Sequence, residues 1–416
     1  MVMELRRIRV FDGEKDLGMM DLSWGQDRIT DLVPSGVRPS HQESAAPETD
    51  PRRPLDEDLS LVPGLIDTHV HLLSYAGLGH VSHLTWPLVT PATERVLHGA
   101  GQAQRALDVG VTTLRDMAGG EAQVSLRHAF DDGILVGPRI WVSGMVGMTG
   151  GHSDLFTPPT VRDREPTADG PDACRALVRR HARSGVDGIK ITTSGGVLSQ
   201  GDRNEWRNYT RAEIAAIVDE AHALGLPVGA HAHTVEGIQI ALEEGVDSLE
   251  HATRITPDQA RLARDRGVTI APTLLILERI QSGEAQVPEE NRLKARALFD
   301  ARALALSRAR QEGVDFVLGT DSSGSTMPFG LQMMEIQAMV RDIGLTPLEA
   351  MQAATSRAGR VLADHGLGTL RPGAPCDFLV VRGRPWEDIS LLSPDRLLAV
   401  VSRGQVVRGS LPTEAR

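Results

Sequence analysis

The feature that most constrains the fold of this chain is an alternation of strand-like and helix-like segments along its middle. Short apolar runs typical of buried strands occur at residues 61–66, 111–114, 138–142, 188–191, 227–230, 247–249, 268–271 and 316–318. The stretches between them carry helix signals, such as the capping-box pattern of Thr210 and Glu213. Eight strand–helix units in sequence order predict an α/β fold, a (β/α)8 barrel of the TIM type rather than an open sheet.

The two ends of the chain differ from its middle. Short antiparallel strands are predicted at residues 5–10, 16–32, 377–381 and 399–407, and a polar, proline-bearing loop at 34–54. Neither end has enough apolar residues to fold alone. We therefore expect residues 1–61 and 365–416 to form one small composite β-domain beside a barrel of residues 62–364.

The charge and cysteine content of the chain limit the kinds of molecule that it is expected to bind. The chain has 44 Lys and Arg against 55 Asp and Glu, a net charge of −11, which disfavours nucleic-acid and anionic-membrane partners. Cys174 and Cys376 form no disulfide framework, residues 1–10 are charged and without the apolar core typical of a secretion signal, and no apolar run approaches membrane-spanning length. We expect a cytoplasmic enzyme that acts on a small molecule, and a homo-oligomer, which is common at this size.

Two histidines end the first predicted barrel strand, in residues 63–71 (PGLIDTHVH). Side chains two positions apart on a strand point to the same face, which places His69 and His71 side by side. Two imidazoles that face one way can bind one metal ion. The alternative is a pair of hydrogen-bonded interior histidines that bind no metal ion.

Lys190 stands inside the apolar run 188–191 (GIKI), where a solvated lysine is out of place. A buried amine loses its proton readily. The neutral amine can take up carbon dioxide and become a carbamate, a carboxylate able to bridge two metal ions. The alternative is a lysine whose ammonium group reaches out of the barrel end into solvent.

Three further candidates follow predicted strands: His231, His251 and Asp321. Together with the three residues above, they fall at the carboxyl ends of strands one, four, five, six and eight. This end of the barrel is where (β/α)8 enzymes place their active sites. The alternative for Asp321 is a helix N-cap after the last strand.

The motifs at these positions resemble those of the amidohydrolase superfamily of metal-dependent hydrolases. The resemblance covers nearly the whole chain and rests on residues 63–71, 188–191, 230–233 (AHAH), 246–251 (VDSLEH), 319–321 (GTD) and 366–373 (GLGTLRPG) with Asp377. Residues 112–116 (TTLRD) and 150–152 (GGH) are similar to the imidazolonepropionase-like branch. That branch includes Xaa-Pro dipeptidases, carboxypeptidases for basic residues and ochratoxin-type amidases.

The resemblance implies a site for two divalent metal ions, usually zinc. The residues that would hold the buried ion are His69, His71 and Asp321. The more exposed ion would be held by His231 and His251, and carboxylated Lys190 would bridge both. His233 shares a face with His231, so either could ligate. We favour His231, which is nearer the strand, and leave His233 for a substrate contact or for support of a ligand.

The implied reaction is hydrolysis of an amide C–N bond by a hydroxide shared between the two metals. Asp321 could accept the proton of that hydroxide and deliver it to the departing amine. His152 lies in a Gly-rich loop, residues 144–154, that we expect to overhang the barrel mouth. It could donate a hydrogen bond to the oxyanion of the tetrahedral intermediate. A surface-loop histidine without that role is the alternative.

The sequence leaves the substrate open. We expect a dipeptide or an N-acyl amino acid, while a xenobiotic amide, a carbamate or a lactone is also compatible. The loops expected to line the pocket are 72–89, 145–171, 193–208 and 274–287. A mononuclear deaminase or cyclic-imide hydrolase on this fold would use the histidines and Asp321 without a lysine carbamate. A catalytically silent scaffold would lack several ligands, and this chain lacks none.

Overall fold

The computed structural model describes residues 2–36, 58–79, 81–161, 166–364 and 366–412, so most of the predicted loop 34–54 lies outside the described residues. The strands are β1 Val2–Phe11, β2 Asp16–Gly25, β3 Arg28–Pro34, β4 Leu59–Pro63, β5 Leu65–Val70, β6 Val111–Gly119, β7 Arg139–Met145, β8 Gly188–Thr192, β9 Val228–Ala232, β10 Ser248–His251, β11 Thr269–Ala271, β12 Phe378–Arg382, β13 Leu397–Ser402 and β14 Gln405–Gly409.

Most of the helices connect successive barrel strands along the chain. The helices are α1 Trp86–Val89, α2 Ala92–Asp108, α3 Glu121–Asp131, α4 Pro171–Arg183, α5 Arg211–Ala223, α6 Val235–Glu244, α7 Pro257–Asp265, α8 Leu274–Ser282, α9 Glu289–Gln311, α10 Gln332–Ala338, α11 Pro347–Ala353 and α12 Ser356–Val361. The capping box at Thr210 and Glu213 is present at the start of α5, where each side chain bonds the backbone N–H of the other residue.

The barrel sheet contains β5 to β11, all parallel and paired in sequence order. The eighth position is taken by residues 316–322, which form no regular strand but bond both neighbours. The N–H of Val317 donates to the carbonyl of Ile270 at 2.9 Å, and that of Thr68 donates to Leu318 at 2.9 Å. The predicted (β/α)8 architecture is confirmed, with its last unit irregular.

The eighth segment passes close to its neighbours at Gly319. A Cβ atom at this position would lie 2.8 Å from the Cβ of Ala271 and 3.0 Å from that of His69. The segment therefore passes between β11 and β5 with no room for a side chain, and it turns sharply two residues later at Asp321, whose φ is 59°. Sequence periodicity does not report such a close approach.

The second sheet combines both ends of the chain, in the order β14-β13-β12-β4-β1-β2-β3. Strand β4 pairs in parallel with β1 and antiparallel with β12, which confirms the predicted composite β-domain. Residues 61–63, which begin the apolar run assigned to the first barrel strand, belong to this sheet, and the barrel strand starts at Leu65. The sheet has its own apolar core, in which Trp24 and Phe378 meet edge to face at 5.2 Å.

The larger apolar core lies between the barrel strands and the inner faces of the helices, and it consists mainly of Val, Leu, Ile and Ala. Among the described residues, no helix is both long enough and apolar enough to cross a bilayer. The parallel barrel strands end at one mouth, where side chains from distant parts of the sequence meet.

Candidate metal centre

The barrel mouth gathers the six predicted ligands around one cavity of about 730 Å³. The five that line this cavity are His71, Lys190, His231, His251 and Asp321. His69 lies just beneath them, with its ring centre 5.2 Å from that of His251. His152 and His233 line the same cavity. The structure therefore brings every sequence-predicted site residue to one place.

A first group of ligand atoms surrounds the carboxylate of Asp321. Its Oδ1 lies 3.1 Å from Nε2 of His71 and 3.7 Å from Nε2 of His69. Burial acts to raise the pKa of Asp321, but the hydrogen bond with His71 and the charges around it hold that pKa below its usual value. The same carboxylate raises the pKa of His71, although burial acts in the opposite direction.

A second group contains His231, His233 and His251, whose ligand atoms all lie within 4.8 Å of one another. The ring centre of His231 is 4.6 Å from that of His233 and 4.7 Å from that of His251. The Nε2 of His231 faces the carbonyl of Gly195 at 3.2 Å, and Nδ1 of His233 faces the hydroxyl of Thr253 at 2.7 Å. Both His231 and His233 are thus close enough to His251 for either of them to bind the same metal ion as His251.

Lys190 is buried, with 4% of its surface exposed, and burial lowers its pKa to about 8. Burial also lowers the pKa of His69 to about 4 and takes that of His231 well below its usual value, and the positive charge of Lys190 adds to both shifts. One lysine therefore acts electrostatically on both groups of ligand atoms.

Glu250 is a buried residue of the candidate site that the sequence did not lead us to single out. It has no exposed surface, and its Oε2 lies 2.7 Å from Nδ1 of His69, while its Oε1 accepts from Nη2 of Arg115 at 2.8 Å. Burial acts to raise the pKa of Glu250, but the charges of Arg115 and His69 hold it well below its usual range. The signal in the sequence was a charged residue inside an apolar strand next to a candidate ligand.

His152 lies in the loop that we expected to overhang the barrel mouth, and its side chain lines the cavity. Its ring centre lies 4.6 Å from that of His231. The Nδ1 of His152 is buried without a hydrogen-bond partner, and the nearest carboxylate, Asp202, is 4.0 Å away. Burial lowers the pKa of His152 to about 4. All four loops expected to line the pocket contribute residues, and so do 119–123 and part of α4, which were not expected.

Backbone strain is concentrated at this mouth. His251 has a φ of 71° and Asp321 a φ of 59°, left-handed values that residues with a side chain rarely adopt. Thr273, which bonds His251, has a φ of 46°. Strained residues persist where the surroundings fix them, and they are often found at functional sites.

The donor set fits a divalent transition metal. Imidazole nitrogens with one carboxylate oxygen are the ligands that zinc and its neighbours prefer. Only a neutral imidazole can ligate, and burial keeps the pKa of His69, His231, His233 and His251 below their usual values, so these rings are neutral at pH 7. Each of His69, His233 and His251 also has an oxygen partner for Nδ1, an arrangement typical of metal-binding histidines.

Comparison with known proteins agrees with this geometry. The amidohydrolase family model matches residues 60–407. Ochratoxinase of Aspergillus niger is 32% identical over 367 residues, which cover 83% of this chain and 74% of ochratoxinase. The structure of a Xaa-Pro dipeptidase with bound methionine is 28% identical, with a TM-score of 0.84, 98% of this chain covered and 100% of that one. A prolidase complexed with N-methylphosphonate-L-proline is also 28% identical, with a TM-score of 0.86, 99% of this chain covered and 100% of that one.

The fold and the site define a metal-dependent hydrolase of the barrel type. The chain belongs to the amidohydrolase family. It is a hydrolase that acts on C–N bonds, and the cluster of buried histidines with Asp321 is its candidate metal centre.

Proposed function

We propose that the chain is a binuclear metal-dependent amidase, with a dipeptide or an N-acyl amino acid as its substrate. His69, His71 and Asp321 hold one metal ion in this account. His231 and His251 hold the other, and Lys190, carboxylated on its amine, bridges the two. Zinc is the metal we expect, because its ligand preferences match this set of nitrogen and oxygen donors.

The observation that carries the proposal is the position of Lys190. It is buried in the middle of β8, its charge acts on both ligand groups, and its lowered pKa makes the neutral amine available for carboxylation. A mononuclear deaminase would leave this buried amine without a function. A plain structural lysine is the alternative, and the negative charges of Glu250 and Asp321, which act to raise the pKa of Lys190, would be its partners.

The chain's own groups divide the remaining work. Bound metal ions would supply an activated water and polarise the carbonyl under attack. Asp321, with Oδ1 at the centre of the first group, takes up the proton of the water and passes it to the departing amine. His152 lines the cavity, and in this account its ring donates a hydrogen bond to the carbonyl oxygen. His233, held by Thr253, supports the second group.

The substrate class is supported by the cavity and by the relatives. A volume of about 730 Å³ accommodates a dipeptide-sized or larger molecule, and the lining mixes histidines with apolar side chains such as Trp86 and Ile276. The similarity to a prolidase and a Xaa-Pro dipeptidase favours a peptide-like amide, and that to ochratoxinase keeps a xenobiotic amide as a second candidate. We further propose a cytoplasmic homo-oligomer.

The experiment that tests the proposal is a hydrolysis screen of the purified protein. Dipeptides and N-acyl amino acids form the main panel, and matched esters, lactones, cyclic imides and aminopurines form the second. We expect amide hydrolysis that exhaustive chelation abolishes and that zinc, cobalt or manganese restores. Activity that survives metal removal, or release of ammonia from the purines alone, would contradict the proposal.

A further inference from the structure

Helix α8 begins with a threonine that does not cap it. Thr273 occupies the N-cap position, yet its hydroxyl makes no bond to the start of the helix. Its Oγ1 lies instead 2.6 Å from Nδ1 of His251. A threonine at an N-cap ordinarily bonds a free N–H of the first turn, so this hydroxyl has been diverted from its usual partner.

The capping role is taken over by a residue far along the chain. The side chain of Glu335, on α10, accepts from the N–H of Leu274 through Oε1 at 2.5 Å and from that of Leu275 through Oε2 at 2.9 Å. Glu335 and Leu274 have no exposed surface. Arg302 of α9 donates Nη2 to the carbonyl of Leu274 at 3.3 Å, so the first turn of α8 is held from two helices.

This arrangement keeps Thr273 in a conformation that it would not adopt alone. Its φ of 46° and ψ of 58° lie in the left-handed region, which is strongly unfavourable for a β-branched residue. Such strain persists only where the neighbouring contacts over-determine the backbone. The two bonds from Glu335 fix the residues that immediately follow Thr273, and they satisfy the N–H groups that would otherwise compete for its hydroxyl.

We propose that Glu335 is a positioning residue for the metal ligand His251, and that it acts through Thr273. The inference rests on the proposed metal role of His251. That ring can ligate through Nε2 only if Nδ1 carries the hydrogen, and the hydroxyl of Thr273 is the acceptor that holds it in this tautomer. Without Glu335, the exposed N–H groups of α8 recruit the hydroxyl of Thr273 as a cap, and the His251 ring loses its support.

The test compares metal binding in Glu335→Gln and in a matched variant, Glu213→Gln. Glu213 is also buried and also accepts from two backbone N–H groups at helix starts, those of Thr210 and Gly170, both at 2.7 Å. Glutamine has one acceptor oxygen in place of two, so both variants lose one of these bonds. We expect Glu335→Gln to release one metal ion per chain to a chelator at least about tenfold faster than wild type. Glu213→Gln should lose thermal stability only.

Cobalt substitution supplies a readout that a merely structural role would not change. The visible absorption bands of bound Co²⁺ report ligand geometry, and we expect them to shift in Glu335→Gln and to match wild type in Glu213→Gln. Thr273→Val should reproduce the shift and the faster release, and Thr273→Ser, which keeps the hydroxyl, should restore wild-type behaviour. These Thr273 variants decide the matter if Glu335→Gln does not fold.

Two results would overturn the inference, and they are distinguishable. Unchanged metal release and an unchanged Co²⁺ spectrum in Thr273→Val or Glu335→Gln would refute the positioning role while the wild-type protein still binds metal. A wild-type protein that binds no divalent metal would refute the proposed function itself, and with it the role of His251.

Discussion

The Nδ1 atom of His69 lies 2.7 Å from Oε2 of Glu250, at the enclosed centre of the barrel. The other carboxylate oxygen accepts from the hydroxyl of Ser248 at 2.8 Å and from Arg115, which also donates Nε to the carbonyl of Thr68 at 2.6 Å. Because Glu250 holds the hydrogen of His69 on Nδ1, Nε2 is left without one and faces Asp321. The charged pair of Glu250 and Arg115 thus fixes which nitrogen of His69 is free to bind a metal ion.

Glu250→Gln should therefore weaken metal binding without removing a ligand. An amide has one acceptor oxygen, so either His69 or Arg115 is left facing an NH2 group. We expect the affinity for one metal ion to fall by about 10- to 100-fold in chelator competition. The free energy of unfolding should also fall by about 3 kcal/mol, as when a buried ion pair loses one partner. Wild-type metal affinity in this variant would contradict the assigned role.

The ring of His152 packs against Gly196, which has no side chain. A Cβ atom at Gly196 would lie 1.8 Å from Cε1 of His152 and 2.2 Å from its Nδ1. Since the obstructing atoms are the end of a side chain on a loop, Gly196→Ala can fold by pushing the ring away. We expect kcat to fall by about 100-fold in Gly196→Ala and in His152→Ala, the loss expected for one oxyanion donor. Metal analysis should show full occupancy in both.

Two controls separate this effect from general damage. Gly25 has open space around a built Cβ and lies in the terminal sheet, and His128 is exposed on α3. Gly25→Ala and His128→Ala should keep wild-type kcat and KM. An unchanged rate in His152→Ala at full metal content would remove the oxyanion role of that residue.

The convergence of the candidate ligands at one mouth could be predicted from the sequence because it follows local rules. Residues at strand ends of a parallel barrel share one mouth, and the alternation of side chains places His69 and His71 together. Alternation fails at the sixth strand, where Glu250 and His251 are adjacent and both face the centre. The left-handed φ of 71° at His251 turns its side chain inward, and no sequence periodicity signals that.

The supporting residues could not be predicted because their partners are distant in sequence. Glu250 is 181 residues from His69, and Glu335 is 61 residues from Leu274. Each is a buried acid whose function depends on which helix or strand packs opposite it. The eighth strand was predicted, but its irregularity was not, and neither was the lack of room for a side chain at Gly319 beside Ala271, which exists only in the closed barrel.

Reconstitution of metal-free protein should depend on pH through Lys190. Burial lowers its pKa from 10.5 to about 8, and only the neutral amine reacts with carbon dioxide. Its neutral fraction rises about tenfold per unit below the pKa and levels off above it. At constant dissolved carbon dioxide, the part of the recovery rate that depends on carbon dioxide should rise from pH 6 to 8 and then flatten.

The carbon dioxide-dependent part of the recovery rate reports on Lys190 and not on His71. The pKa of His71 is raised from 6.5 despite its burial. The deprotonation of His71 also favours metal binding as the pH rises, but it needs no carbon dioxide. A recovery rate that is the same with and without carbon dioxide at every pH would contradict carboxylation of Lys190.

Substitution of Lys190 by arginine distinguishes a bridging carbamate from a buried cation. In the carbamate account, a guanidinium places a permanent positive charge between two metal ions, so Lys190→Arg should be as inactive as Lys190→Ala. A short carboxylic acid such as acetate should partly restore Lys190→Ala and not Lys190→Arg. If Lys190 were a structural cation, Lys190→Arg would keep most of the activity.

The most direct test of the central claim is the number of divalent metal ions bound per chain, measured by elemental analysis of the wild-type protein and of Lys190→Ala. The account predicts about two ions in the wild type, as in other two-metal hydrolytic sites, and loss from both positions in the variant. His251→Ala should lose mainly one. A wild-type protein with a single ion, or a Lys190→Ala variant that still holds two, would contradict a binuclear centre bridged by Lys190.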